Sequence, residues 1–200
     1  MKQVKHSVSK KDEKREAVFE VAADVFAQYG FRRTAMNDIA QAAGISRPAL
    51  YLMFVNKEDL FTGVISFRLN QGVDLAISTL SGSGSITERF TAAILAFEKI
   101  FYEPVAQSPH GAELMDISVS VAADIMKKGQ DRLDKSLLRA LEEAISNGEV
   151  VFADMSMQPL PFIRLLMSSI AGLKKQAPSI KAFRRQISEL VGIFFKSITK

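Results

Sequence analysis

Between Thr34 and Leu60 two short apolar-periodic segments are joined by Ala43-Gly44-Ile45-Ser46, and a third helix start follows at once. A chain that turns this tightly between two helices folds locally into a helix-turn-helix, a unit whose second helix enters the major groove of DNA. The hydroxyl of Thr34 predicts the cap of the first segment, with Asp38 favouring its positive end. Met36, Ile39, Ala40 and Ala43 recur at helical spacing, and Gly44 suits the left-handed turn that ends the segment. Ser46 caps the second segment, and Pro48 falls in its first turn, where a missing N–H costs little. Leu50 and Phe54 form its buried i, i+4 pair, so Arg47, Ala49, Tyr51, Leu52 and Met53 are left on or beside the outward faces.

The preceding residues supply a support for this pair. Val18, Ala22, Val25, Phe26 and Tyr29 follow the 3.6-residue repeat, and Gly30 closes that helix. Phe31 is expected to fold back as an apolar plug beneath the short pair. Further helices are read at 58–79, 86–102, 112–127, 130–146, 159–176 and 179–199, broken by Ser81-Gly-Ser-Gly-Ser85, by 104–111 and by Asn147-Gly148. Sustained two-residue alternation is missing, which predicts an all-α chain of about nine helices. The division expected is a flexible basic arm at 1–13, a three-helix DNA-binding domain at 14–60 and a larger helical domain at 61–200.

The stretch from Ala22 to Phe61, AxxxFAQYGFRRTAMNDIAQAAGISRPALYLMFVNKEDLF, resembles the TetR family of transcriptional regulators. The resemblance covers roughly the first third of the chain. It implies a homodimeric, ligand-responsive DNA-binding protein, most often a repressor, that leaves a palindromic operator when a small effector binds the larger domain. Phosphate contacts are expected from Thr34, Tyr51 and Lys57, with Arg33 and the basic arm beside them, and the resemblance places Tyr51 and Lys57 at the family's phosphate-binding positions. Arg47, Pro48, Ala49 and Leu52 complete the expected contact set: Arg47 offers a guanidinium to guanine or phosphate, while Ala49 and Leu52 reach only methyl groups or hydrocarbon edges. Pro48-Ala49 and Leu52-Met53 depart from the family's usual residues, so the base contacts are this chain's own.

Ten of the fourteen Phe and five of the eight Met lie after Leu60. Core packing accounts for most of them, and a subset is expected to line an apolar or aromatic effector site: Phe67, Phe90, Phe97, Phe101, Met115 and Met126. Phe162, Leu166, Ile170, Leu173, Phe183, Ile187, Leu190 and Phe194 give the last two helices more apolar surface than a monomer should expose. They are the expected dimer interface, since two recognition helices read a palindrome better than one.

Catalytic chemistry is poorly provided for. The two His, His6 and His110, are far apart, and neither a paired-His metal site nor a phosphate-cradling glycine loop is present; no catalytic residue, metal or cofactor is expected. Net charge is only +4, but residues 1–15 hold six Lys or Arg against Asp12 and Glu13. The absence of Cys and of any long apolar run or secretion signal predicts a soluble protein of the cytoplasm, without a membrane partner. The alternative is a helical small-molecule carrier or enzyme without specific DNA binding.

Overall fold

The computed structural model describes residues 10–151 and 157–198. Among them the chain forms ten helices and no strand: α1 (Lys10–Tyr29), α2 (Met36–Ala42), α3 (Arg47–Tyr51), α4 (Lys57–Leu80), α5 (Ile86–Phe101), α6 (Glu103–Ala106), α7 (Gly111–Val121), α8 (Ala123–Ser146), α9 (Pro159–Leu173) and α10 (Ile180–Lys196). The all-α class is as expected. Two details differ. The single turn α6 falls in the stretch read as a break, with Pro104 at its start, where a missing N–H is harmless. The break expected near Gly129 lies instead at Ala122, and α8 runs straight through Gly129 because that position packs on Leu69: a Cβ there would come within 2.2 Å of Leu69 Cδ2. This glycine permits a close approach and ends nothing.

The chain divides into two compact units, one within Met1–Phe67 and Ser108–Ala123, the other within Arg68–Gln107 and Asp124–Lys200. In the first unit Phe26, Phe31 and Phe61 pack ring against ring at centroid distances of 5.0 to 5.7 Å, so Phe31 is buried against α1 and α4. Phe19 meets Phe54 at 5.3 Å and Phe67 at 5.6 Å, which carries this unit beyond Leu60 along α4. Residues 108–123 rejoin it as well, since Ser108 Oγ donates to the Ala27 carbonyl at 2.6 Å and the Arg32 N–H donates to Glu113 Oε1 at 2.8 Å. Of the expected arm, residues 1–9 lie outside the described residues, and 10–13 are helical, the start of α1.

The second unit is built on an apolar core shared by α4, α5, α8, α9 and α10. Phe90 meets Phe195 at 4.8 Å, and Tyr102 meets Phe183 at 5.0 Å, so α5 and α10 run antiparallel. Amphipathic spacing builds both helices, and each starts on a serine: Ser85 Oγ accepts from the Glu88 N–H at 3.3 Å, and Ser179 Oγ from the Ala182 N–H at 3.1 Å. No helix among the described residues is long and apolar enough to cross a membrane.

Candidate nucleic-acid interface

The turn from α2 to α3 follows from its residues. Gly44 adopts φ +64°, with open space where a Cβ would stand, and Ser46 Oγ accepts from the Ala49 N–H at 3.2 Å to start α3. Leu50 and Phe54 are fully buried beneath that helix. Their burial turns Arg47, Pro48 and Tyr51 outward, with Ala49 half-exposed beside them. Leu52 is 87% exposed and Val55 79%, although both are apolar. The guanidinium of Arg47 lies 5.5 Å from the Tyr51 ring centroid, so charge and aromatic face are presented together.

Two expected phosphate contacts are differently engaged. Thr34 is buried, and its hydroxyl donates to the Gly30 carbonyl at 2.6 Å. It is not the cap of α2. That role falls to Ala35, whose extended backbone directs its N–H to Asp38 Oδ2 at 2.8 Å, so the orphan donor is satisfied from within the helix. Lys57 donates to the carbonyls of Phe31 and Thr34, both at 2.8 Å, and its ammonium sits 4.5 Å from the Phe31 ring centroid. The positive end of α4 is already met by the chain's own groups: Asn56 Oδ1 accepts from the Asp59 N–H at 2.8 Å, and Asp59 Oδ2 accepts from the Val55 N–H at 2.9 Å. The start of α4 is therefore a weak anion site. Arg33 is exposed and borders an open cleft of about 600 Å³ with Gln28, Tyr29, Asp38, Gln41 and His110.

The residues expected at an effector site divide between the two units. Phe67 and Met115 belong to the first unit, whereas Phe90, Phe97, Phe101 and Met126 belong to the second. Phe90 is wholly buried against Phe195, a core position rather than a lining one. Phe97 and Phe101 stack at 5.6 Å, and Phe101 and Met126 are half-buried.

The residues expected at the dimer face divide by burial within this chain. Phe162, Leu166, Ile170, Phe183 and Ile187 are at most 1% exposed, because they point into their own unit's core. Leu173, Leu190 and Phe194 are half-buried. The apolar side chains that α9 and α10 do turn outward are Leu165, 48% exposed, and Ile193, 68% exposed. Small residues accompany them: a Cβ on Gly172 or Gly192 would meet nothing within 4 Å.

Charge is also buried in the second unit, which the sequence did not signal. Glu98 is 1% exposed, with Oε1 accepting from Lys174 Nζ at 2.8 Å. Burial pushes its carboxyl above the ordinary carboxylate value, Lys174 pulls it back, and Glu103 adds to the rise. Glu103, also buried, takes a forked pair of bonds from Arg184, with Nε to Oε1 at 2.7 Å; this pairing raises the guanidinium further above its usual value. Tyr102 donates from its hydroxyl to the Lys174 carbonyl at 2.9 Å, and burial, then Glu98, raises that phenol. His110 Nδ1 stands 3.9 Å from Glu113 Oε2, and no cluster of three metal-ligating side chains occurs among the described residues.

Residues 18–64 match the family model of bacterial regulatory proteins of the tetR family. The HTH-type transcriptional regulator YhgD of Bacillus subtilis is 23% identical over 171 residues, covering 84% of this chain and 88% of its own. A transcriptional regulator from Cytophaga hutchinsonii shares the fold with a TM-score of 0.76 at 18% identity, over 94% of this chain and all of that one. SmeT, the repressor of the Stenotrophomonas maltophilia multidrug efflux pump SmeDEF, shares it with a TM-score of 0.69 at 18% identity, over 93% of this chain and 90% of SmeT. SmeT is also known as a complex with triclosan.

Proposed function

We propose that this chain, a member of the TetR family of bacterial regulatory proteins and a DNA-binding regulator of transcription, is a homodimeric repressor that a small apolar or aromatic effector releases from a palindromic operator. The observation that carries the reading is the surface of α3, where Leu50 and Phe54 are buried and Arg47, Tyr51 and Leu52 face out. A five-residue helix with one cation, one phenol and an apolar tip fits a groove that offers acceptors and thymine methyl groups. Arg47 bonds a guanine edge, Ala49 and Leu52 touch methyl groups or hydrocarbon, Pro48 fixes the start of the helix, and Tyr51 with Arg33 contacts phosphate. Lys57 and Thr34 act mainly by holding the loop of residues 30–35 between α1 and α2.

Pairing of two copies runs through the outward faces of α9 and α10, centred on Leu165 and Ile193 with Gly172 and Gly192 allowing close approach. Effector binding falls to the second unit, where Phe97, Phe101 and Met126 supply aromatic and polarizable surface. The triclosan complex of SmeT supports an aromatic ligand. α4 starts beside the recognition helix and continues into that unit, so a ligand that favours one tilt of α4 changes the spacing of the recognition helices. About 1.4 kcal/mol of coupling is a tenfold change in operator affinity. The protein acts in the cytoplasm and catalyses nothing.

Gel-shift titration against the DNA flanking its own gene, with random duplex as control, tests the reading. Operator preference is expected, and Arg47→Ala should cost about 1–3 kcal/mol at one base of each half-site. A bound small molecule with no preference for any DNA would instead favour a helical carrier.

A further inference from the structure

Arg15 lies three residues ahead of the stretch that matches the family model, in the first half of α1. Its Nη1 donates to the carbonyl of Met53 at 2.5 Å, across 38 residues of sequence. The guanidinium also lies 4.5 Å from the ring centroid of Phe54 and 5.7 Å from that of Phe19. Those two rings pack on each other at 5.3 Å, and Phe54 is 1% exposed.

Met53 is the second residue after α3, and α3 has only five residues. A helix of that length does not hold its own geometry, and its last carbonyls lack partners within the helix. The N–H groups of Met53 and Phe54 both turn back to Leu50 O at 3.0 Å, so the chain tightens at this end while the Met53 carbonyl points away to Arg15. A cation there also meets the negative end of the helix dipole. Arginine suits the place better than lysine, because its planar head stacks on Phe54 while one edge donates.

The placement is unusual for a basic residue so close to five lysines at 2, 5, 10, 11 and 14. A cation meant for phosphate is held out in water; this one is half-buried and aimed inward at a neutral oxygen. Because a carbonyl does not cancel its charge, Arg15 ties α1 to the end of α3 without lowering the unit's positive potential.

We propose that Arg15 is a positioning residue for the recognition helix, setting the discrimination between operator and other DNA rather than the affinity for DNA in general. This inference rests on the DNA-binding reading given above. Base-edge hydrogen bonds depend steeply on angle, whereas contacts from flexible lysines to phosphate tolerate a tilted helix. Loosening the end of α3 therefore removes operator preference and leaves the salt-dependent part of binding intact.

The test uses the full chain as wild type, Arg15→Gln and Arg15→Lys, titrated over a range of salt against operator DNA and a random duplex, with circular dichroism melting beside it. Arg15→Gln should weaken operator binding by about tenfold or more. Random-duplex affinity should move by less than about twofold, with an unchanged salt slope. Arg15→Lys keeps the charge and should fall with Arg15→Gln. Parallel loss on both DNAs with the salt slope reduced by about one unit would make Arg15 a phosphate contact and overturn the proposal. So would an Arg15→Lys protein as selective as wild type, or an unchanged operator preference in Arg15→Gln. Should Arg15→Gln fail to fold, Phe54→Leu removes the stacking ring and keeps an apolar side chain; it should lose part of the preference, and full retention would overturn the proposal. A wild type with no operator preference would sink the DNA-binding reading itself, a result distinct from a preference that ignores Arg15.

Discussion

The two units partner their cations differently. In the DNA-binding unit Arg15 and Lys57 bond main-chain carbonyls, whereas in the second unit Lys174 and Arg184 bond the carboxylates of Glu98 and Glu103. A carbonyl clamp fixes geometry while leaving the positive charge uncancelled, which suits a surface facing a polyanion. A carboxylate pair cancels charge and ties helices together, at the cost of desolvating both groups and with a dependence on pH. One unit is held as a presenting surface, the other as a closed core.

Deleting a ring gives the largest effect that this contrast implies. Phe90→Ala should lose about 3–5 kcal/mol in urea unfolding, because the ring is wholly buried against Phe195. A loss under about 1 kcal/mol would make Phe90 part of a ligand-lining wall and weaken the view of the second unit as closed. Next comes the outward face of that unit. Leu165→Glu combined with Ile193→Glu should raise the dimer dissociation constant by about a hundredfold, or ~2.7 kcal/mol, in sedimentation velocity, with helical content unchanged. Dimers of wild-type strength would move the interface elsewhere.

Lys57→Gln comes third. Losing two carbonyl bonds should destabilise the DNA-binding unit by about 1–3 kcal/mol in thermal melts. Its salt slope on random DNA should stay that of wild type; a fall of about one unit would return Lys57 to the phosphate contacts. The smallest effect is a trend with pH. Burial raises the Glu98 carboxyl above 4.5, so the folded chain keeps that proton at pH values where the unfolded chain has released it. Wild-type stability should therefore fall as pH rises from the ordinary carboxylate range through the raised value, and Glu98→Gln should flatten that part of the profile. An identical profile in the variant would show that Glu98 titrates normally.

Local chemistry made much of the first unit legible. Gly44, Ser46 and Pro48 each act within a few residues of themselves, so their roles in the turn could be read from the chain alone. Thr34 lies one residue before the cap because Asp38 takes the neighbouring Ala35 N–H, while the Thr34 hydroxyl turns to the Gly30 carbonyl. Contacts such as Arg15 to Met53 leave no periodic trace, since they join residues far apart in sequence. The last two helices are less legible for another reason: Phe162, Ile187 and their neighbours form an apolar stripe, and a stripe alone does not say whether it faces the molecule's own core or a partner.

Ser108 and Glu113 bond Ala27 and Arg32 from more than seventy residues downstream, and a Cβ on Gly30 would strike Glu113 Oε2 at 2.6 Å. Cutting the chain after its matched N-terminal stretch thus severs a fragment from part of its own support. Chimeras that graft this DNA-binding head onto a relative's body should work best when residues 108–123 travel with it. The DNA-binding unit is then discontinuous, a head and a distant clasp that must be exchanged together.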